Sequence, residues 1–240
     1  MQKLFVDFVP DEMIYLDAEQ SRHIAKSLRM KVGDTLTLSC GDGADYGCII
    51  EEITASQVVL KKCYKQANES EPDVRVHIYQ GVPKGDKLED VIQKCTELGA
   101  SAFTPVLTAR SISRPDEKSA AKKQARYAKI ALEAAQQSGR GIVPEVGKMT
   151  SLEQAVKNDG SELKILFYEG GGEALKTLIN KGVKSVSIYI GPEGGFEKSE
   201  VELLEKNGAK TATLGKRILR TQTAPVAALT AIMLLTGNLE

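Results

Sequence analysis

Apolar and polar positions change their rhythm once along this chain, near residue 70. Before that point the rhythm is that of strands. Thr35-Leu-Thr-Leu-Ser39 alternates with a period of two, the pattern of a half-buried strand. Tyr46 to Ile53 and Val58 to Tyr64 predict two more, and Gly41-Asp-Gly43 a turn. Asp17-Ala-Glu-Gln20 reads as a capping box opening a short helix that carries Ile24 and Leu28. Together these elements predict a small barrel or sheet. Asn68-Glu-Ser-Glu-Pro-Asp73 is polar, contains proline and is flanked by strands. It predicts a linker between a first domain, residues 1–72, and a second, residues 73–240.

From Val74 onward strands and helices alternate, which predicts an α/β domain with a mostly parallel sheet. Val74, Val76 and Ile78 belong to a strand ending at Gly81. Leu88, Val91, Ile92, Cys95 and Leu98 lie at helical spacing, and Gly99 stops that helix. Ala102 to Leu107 is the next strand. A long helix follows from Asp116 to Ser138, with Ala121, Ala125, Ala128, Leu132 and Ala135 as its expected buried stripe. Lys164 to Tyr168, Ser185 to Ile190 and Thr211 to Leu214 are further strands. Ser199-Glu-Val-Glu202 reads as a capping box for a helix ending at Asn207-Gly208. Pro225 suits a first helical turn, and Val226 to Leu235, nearly all apolar, predicts a buried helix.

Composition narrows the class. Of 240 residues, 42% are hydrophobic and 27% charged, as in an ordinary globular protein. No apolar run approaches the ~18 residues of a membrane span. The opening MQKLFVDFVPDEM lacks the charged-then-apolar layout of a signal peptide. The expectation is a cytoplasmic protein with no membrane partner. Cys40, Cys48, Cys63 and Cys95 form no CxxC, and only His23 and His77 add imidazole, so no metal site is expected. Four reduced, mostly buried thiols is the expected state.

Lys plus Arg equals Asp plus Glu at 32 each, which excludes a wholly basic nucleic-acid binder but not a basic face. The charges are uneven. Met1 to Ser70 holds 8 basic and 11 acidic residues, whereas Arg110 to Lys148 holds 9 basic and 4 acidic ones. Thr211 to Thr230 carries Lys216, Arg217 and Arg220 and no acid.

Three glycine-containing segments each follow a predicted strand: Glu169-Gly-Gly-Gly172, Gly191-Pro-Glu-Gly-Gly195-Phe, and Leu214-Gly-Lys-Arg-Ile-Leu-Arg-Thr-Gln-Thr-Ala224. Open parallel sheets bind ligands outside the carboxyl ends of their strands. Without side chains, backbone N–H and C=O groups can approach a nucleotide-like ligand closely. Known nucleotide fingerprints nevertheless fail. GxGxxG started at Gly170 meets Leu175, and Gly215-Lys216 is followed by Arg217 rather than Ser or Thr. The third segment puts three cations ahead of a hydroxyl-rich helix start, which suits an anion or a carboxylate.

Gly191-Pro-Glu-Gly-Gly-Phe, followed about twenty residues later by Leu214-Gly-x-Arg-Ile-Leu-Arg-Thr-x-Thr-Ala, resembles the RsmE family. These are small-subunit ribosomal RNA uridine N3-methyltransferases of the SPOUT superfamily. Lys84-Gly-Asp-Lys-Leu-Glu-Asp-Val-Ile-Gln-Lys-Cys-Thr-Glu-Leu-Gly99 is similar to that family's first helix. Arg110-Ser111, Glu133 to Arg140 and Val143-Pro144 are similar to its middle segment; His23, Leu28-Arg-Met30 and Gly33-Asp34 to its N-terminal domain. Gln222 departs from the pattern, where Glu is more usual.

The resemblance implies a PUA-like β-barrel, an RNA-binding domain, followed by a SPOUT α/β methyltransferase domain with a C-terminal trefoil knot. It implies a homodimer, S-adenosylmethionine (SAM) as cofactor, and small-subunit ribosomal RNA or the 30S subunit as substrate. The family's cofactor loops fall on Phe167, Tyr168, Glu169 and Gly170; on Ile190, Gly191, Gly194 and Gly195; and on Leu214, Gly215, Ile218, Leu219, Thr221 and Ala224. Arg220 is the candidate cation for charge developing on the uracil. Glu193 is a candidate base, a cofactor-orienting group, or a cap for neighbouring N–H groups. Arg22, Lys26 and Arg29 in the first domain are candidate RNA contacts, with Lys84, Arg110, Arg114, Lys122, Lys123, Arg126, Arg140 and Arg217 in the second. The alternatives are a non-catalytic RNA-binding or ribosome-assembly module and a SPOUT enzyme methylating a ribose 2′-oxygen.

Overall fold

The structure, a computed structural model, describes residues 2–54 and 56–239. It divides into two units. One comprises the residues up to Glu71 together with Ala135–Val143; the other comprises Pro72–Ala134 and the residues from Pro144 onward.

The first unit contains β1 (Gln2–Phe5), β2 (Met13–Tyr15), α1 (Ala18–Arg22), β3 (Thr35–Ser39), β4 (Ala44–Ile53) and β5 (Val58–Ala67). Its five strands form one sheet in the order β1-β3-β4-β5-β2. β1 and β3 run parallel and the other pairs antiparallel. Leu4, Ile14, Leu16, Ile24, Leu36, Leu38, Tyr46, Ile50 and Leu60 make its core. Asp17 caps α1 by accepting the Gln20 N–H at 2.7 Å. The reciprocal half of the expected capping box is missing, because the Gln20 amide points to the Phe5 carbonyl instead. A π-helical segment, His23–Ser27, extends α1.

Residues 135–143 join this unit although they lie far along the chain. The Gly139 carbonyl accepts bonds from Lys3 Nζ, Asn68 Nδ2 and Ser70 Oγ at 3.1–3.2 Å. Ser39 Oγ donates to the Gly141 carbonyl at 3.1 Å. No linear pattern marks such a segment, since every partner is at least 69 residues away.

The second unit contains β6 (Arg75–Gly81), α2 (Lys87–Glu97), β7 (Ala102–Leu107), α3 (Glu117–Gln137, whose last residues group with the first unit), β8 (Glu145–Val146), β9 (Thr150–Ser151) and α4 (Leu152–Asn158). β10 (Leu163–Phe167), β11 (Glu173–Ala174), α5 (Leu175–Leu178), β12 (Ser185–Ile190), α6 (Lys198–Lys206), β13 (Lys210–Thr213) and α7 (Thr223–Thr236) follow. The strands form one sheet, β11-β13-β10-β12-β6-β7-β8, with β9 also on β7. All its pairings are parallel. The early strands lie to one side of β6 and the late ones to the other, so the order reverses at the centre of the sheet. Tyr79, Leu166 and Tyr189 pack toward α4 and α6 with Val156, Val201 and Leu204.

Three expectations change here. The stripe drawn on α3 is displaced: Ala121, Ala125 and Ala128 are exposed, and Tyr127, Ala131 and Ala134 are buried. Alanine fits either side of a helix, so the single aromatic sets the buried face. The box on α6 starts two residues earlier than expected, with Glu197 and Glu200 capping each other's backbone. α7 buries one face only: Ala228, Leu229, Ile232 and Met233 are inside, and Leu234 is 62% exposed. Among the cysteines, Cys48 and Cys95 are buried, Cys40 is half-buried and Cys63 is exposed; all four are free. Among the described residues no helix is long and apolar enough to cross a membrane, and no cluster of His, Cys, Asp and Glu could hold a metal ion.

Candidate active site

A cavity of about 520 Å³ opens beyond the carboxyl ends of β10, β12 and β13, within the second unit. Three loops wall it. Phe167 to Glu169 leave β10, Ile190 to Phe196 leave β12, and Ala212 to Gln222 with Ala224 run from β13 into α7. Lys87 of α2 completes the rim. The place agrees with the general habit of open parallel sheets, which bind ligands outside the carboxyl ends of their strands.

The β12 loop is tied down on several sides. Gly195 closes a turn on the Pro192 carbonyl at 2.9 Å. Its φ is +67°, and a Cβ there would sit 2.6 Å from a Glu169 carboxylate oxygen. The left-handed φ favours glycine there, while the Glu169 carboxylate, at the end of a flexible side chain, could shift aside. Arg110 Nη1 donates to the Gly194 carbonyl at 2.7 Å. The Thr221 hydroxyl donates to the Gly191 carbonyl at 2.8 Å, joining the β12 loop to the β13 loop.

Glu193 accepts the Lys87 ammonium at 2.6 Å and the Lys84 backbone N–H at 3.2 Å. Partial burial raises its pKa, but the bonds from Lys87 and the neighbouring backbone N–H groups prevail and hold it below the usual carboxylate range. A carboxylate so stabilised is a poor proton acceptor near neutrality. Of the three roles open to Glu193, these contacts favour capping and positioning, and the lowered pKa argues against the base role.

Lys216, Arg217 and Arg220 stand exposed along the cavity edge. Their side chains make no hydrogen bond or ion pair among the described residues. The Arg220 carbonyl accepts the N–H groups of Thr223 and Ala224 at 2.8 and 2.9 Å, which starts α7.

Comparison with known proteins bears on this cavity. Residues 69–233 match the model of an RNA methyltransferase domain, and residues 16–63 that of an RNA methyltransferase PUA domain. The chain is 37% identical to ribosomal RNA small subunit methyltransferase E of Bacillus subtilis, over 97% of this chain and 96% of that protein. This chain belongs to the ribosomal RNA small subunit methyltransferase E family. A Neisseria gonorrhoeae family member solved with S-adenosyl methionine superposes with a TM-score of 0.90 at 28% identity, covering 98% of each chain. A Legionella pneumophila protein solved in complex with SAM gives 0.89 at 30% identity, covering 97% of this chain and 96% of that one. The α/β fold with a parallel sheet and a PUA-like domain is therefore that of the methyltransferase E family.

Of the cofactor residues expected in this family member, the structure gathers all but Gly170 onto the cavity wall. Glu193, Arg217 and Arg220 are there too. Lys87, Pro192, Phe196, Thr213, Lys216 and Gln222 also line it, beyond the positions that the sequence pattern marks for the cofactor. Lys87 carries a local signal, since it stands three residues after Lys84 in the same family motif.

The RNA candidates divide. Arg22, Lys26, Arg29, Lys84 and Lys122 are exposed, and Lys123 is half-buried. Arg110 is exposed but is engaged with Gly194, Arg114 with the Thr108 carbonyl at 2.7 Å, and Arg126 with Glu89 at 2.7 Å. Arg140 is corrected. It is only 3% exposed, and its Nε and Nη2 donate to the two Glu71 oxygens at 3.1 and 2.6 Å. Glu71 also accepts the N–H groups of Gly141 and Ile142. A guanidinium consumed this way holds residues 139–142 to the first unit and is not offered to a phosphate.

The wall suits SAM. Its volume lies within the roughly 300–1,000 Å³ of small-molecule sites. Gln222 Oε1 is buried with no hydrogen-bond partner among the described residues, an acceptor available to a ligand N–H or O–H. Glu169 brings a carboxylate to the same wall. Gly191, Gly194 and Gly195 bring the β12 loop backbone to the same wall.

Proposed function

We propose that this chain, a SAM-dependent ribosomal RNA methyltransferase of the small subunit methyltransferase E family, methylates N3 of one uridine. One observation carries the reading. The glycine-walled cavity is edged by Lys216, Arg217 and Arg220, cations without an acidic partner among the described residues.

SAM, when bound, supplies a methyl group activated on a sulfonium. The protein's part is to hold and orient. Backbone groups of residues 190–195 and 214–219, with the Gln222 amide oxygen, are assigned to the cofactor. Holding donor and acceptor in line supplies several kcal/mol, up to about 7–11 in well-aligned systems. Uracil N3 must lose a weakly acidic proton before or during attack. Arg220 is assigned to the negative charge that then develops on the uracil oxygens, the logic of an oxyanion hole. Glu193 orients the loop and takes no proton.

Exposed basic side chains are assigned to RNA phosphates: Arg22, Lys26 and Arg29 in the PUA-like unit, Lys84 and Lys122 in the other. The division of labour between an RNA-binding domain, residues 1–72, and a methyltransferase domain, residues 73–240, belongs to this reading. So do action on ribosomal RNA or the assembled 30S subunit and, with it, work in the cytoplasm. A homodimer belongs to the same reading and rests on the likeness to the family. The trefoil knot is part of the same proposal and rests on the likeness to the family.

The experiment is transfer of labelled methyl from SAM to undermethylated 30S subunits, followed by nucleoside mass spectrometry. N3-methyluridine at one mapped position is expected. A 2′-O-methyl nucleoside refutes the N3 assignment, and no transfer refutes catalysis.

A further inference from the structure

We propose that Gln80, which lies outside the cavity wall, is a positioning residue that sets the two cofactor loops against each other. This rests on the reading of the cavity as the SAM site. Gln80 is the penultimate residue of β6 and only 1% exposed. Its Nε2 lies 3.0 Å from Thr221 Oγ1, 3.3 Å from the Gly191 carbonyl, 3.5 Å from the Ile190 carbonyl and 3.1 Å from the Gly81 carbonyl.

The direction of these bonds follows from the neighbours. Three are carbonyl oxygens, which only accept. The fourth, Thr221 Oγ1, spends its proton on the Gly191 carbonyl at 2.8 Å, and so accepts from Gln80. The Gln80 amide must therefore turn its NH₂ toward the loops. One group thereby joins the end of β6 to the β12 loop, 111 residues later, and to the β13 loop, 141 residues later. Gly81 tightens the same junction. A Cβ there would fall 2.5 Å from Pro192 Cδ, so the strand end and the β12 loop touch with no side chain between them.

The arrangement has a cost. Gln80 Oε1 is buried with no hydrogen-bond partner among the described residues. A buried unmade acceptor is destabilising, so packing alone favours methionine, which fills the same volume without it. Sites where a local rule is broken this way tend to be functional. What the amide adds is a fixed spacing between Gly191 and Thr221, both on the wall that takes the cofactor.

The test measures the SAM dissociation constant by calorimetry and the melting temperature without ligand. It uses wild type, Gln80→Met, Thr221→Val and the double variant. Gln80→Met is expected to melt within a few degrees of wild type yet bind SAM about tenfold more weakly. The double variant is expected to bind no worse than about twofold below the weaker single variant, because the two groups act as one unit. Gln80→Met binding SAM within about twofold of wild type overturns the proposal, and so do single losses that multiply in the double variant. If Gln80→Met fails to fold, Thr221→Val reads the same bond from its other end, and wild-type affinity there overturns the proposal. Wild-type protein that takes up no SAM overturns the cofactor reading itself, an outcome distinct from the others.

Discussion

Arg140→Met tests whether Arg140 serves the fold or the RNA. The substitution keeps most of the side-chain volume and removes the guanidinium, leaving Glu71 with two backbone N–H groups in place of its ion pair. The Arg140 side chain is 4% exposed and that of Glu71 22%. Removing one partner of a fully buried pair costs about 3–5 kcal/mol. Glu71 keeps the Gly141 and Ile142 N–H bonds and some access to water, so a loss of about 2–4 kcal/mol is expected. For a chain of this size that lowers the melting temperature by roughly 5–15 °C. The assay is paired: thermal or urea unfolding, and the salt dependence of affinity for a small-subunit RNA fragment below the melting range. Were Arg140 neutralising a phosphate of single-stranded RNA, its removal would flatten the log–log salt slope by about 0.7, whereas a structural ion pair leaves the slope unchanged. Wild-type stability together with a flatter slope would refute the structural assignment and restore Arg140 to the RNA surface.

Arg220→Ala is expected to lower turnover about 10²–10³-fold while SAM affinity stays near wild type; near-normal turnover removes Arg220 from the chemistry. Glu193→Gln is expected to keep turnover within about tenfold and to leave the pH–rate profile between about pH 6 and 9 unchanged, because the native carboxylate is ionised throughout that range. A lost acidic limb in that profile would reinstate Glu193 as the base. His77 supplies a stability prediction. Burial pushes its pKa down from 6.5 to about 4, outweighing the opposing pull of Asp159, while Arg75 pushes the same way as burial. Its folded pKa lies below the unfolded one, so its neutral form is at no disadvantage above pH 6.5, and stability falls as pH drops from 6.5 to about 4. The loss approaches about 3 kcal/mol across that window, and His77→Gln should remove that part of the slope in pH-dependent unfolding.

The candidate site was legible to an unusual depth because its loops are short-range objects. Gly191-Pro-Glu-Gly-Gly195 is a turn that closes within five residues, and Leu214 to Ala224 is one continuous run into a helix. Residues that act across the chain were not legible. Gln80 looks like an ordinary strand residue until its partners at 191 and 221 are known. Arg140 looks like one more surface cation in a basic stretch until Glu71, 69 residues earlier, is found against it. Glu193 could have been a base, a guide or a cap. Lys87 and the Lys84 N–H favour one of these, and both come from the start of α2 and the loop before it, about 106 residues earlier in the chain.

Local period and composition by themselves determined the alternation of strands and helices after residue 73, the three glycine turns at strand ends, the ordinary globular class and the resemblance to a methyltransferase family. These depend on side-chain spacing within a few residues, which the chain displays directly. Tertiary structure alone decided which face of the alanine-rich α3 is inside, that residues 135–143 pack with the first unit, which cations stay uncommitted, and how the cofactor loops are braced from below. Each of those turns on a meeting of distant segments, and a one-dimensional pattern holds no record of which distant groups come within three ångströms of one another.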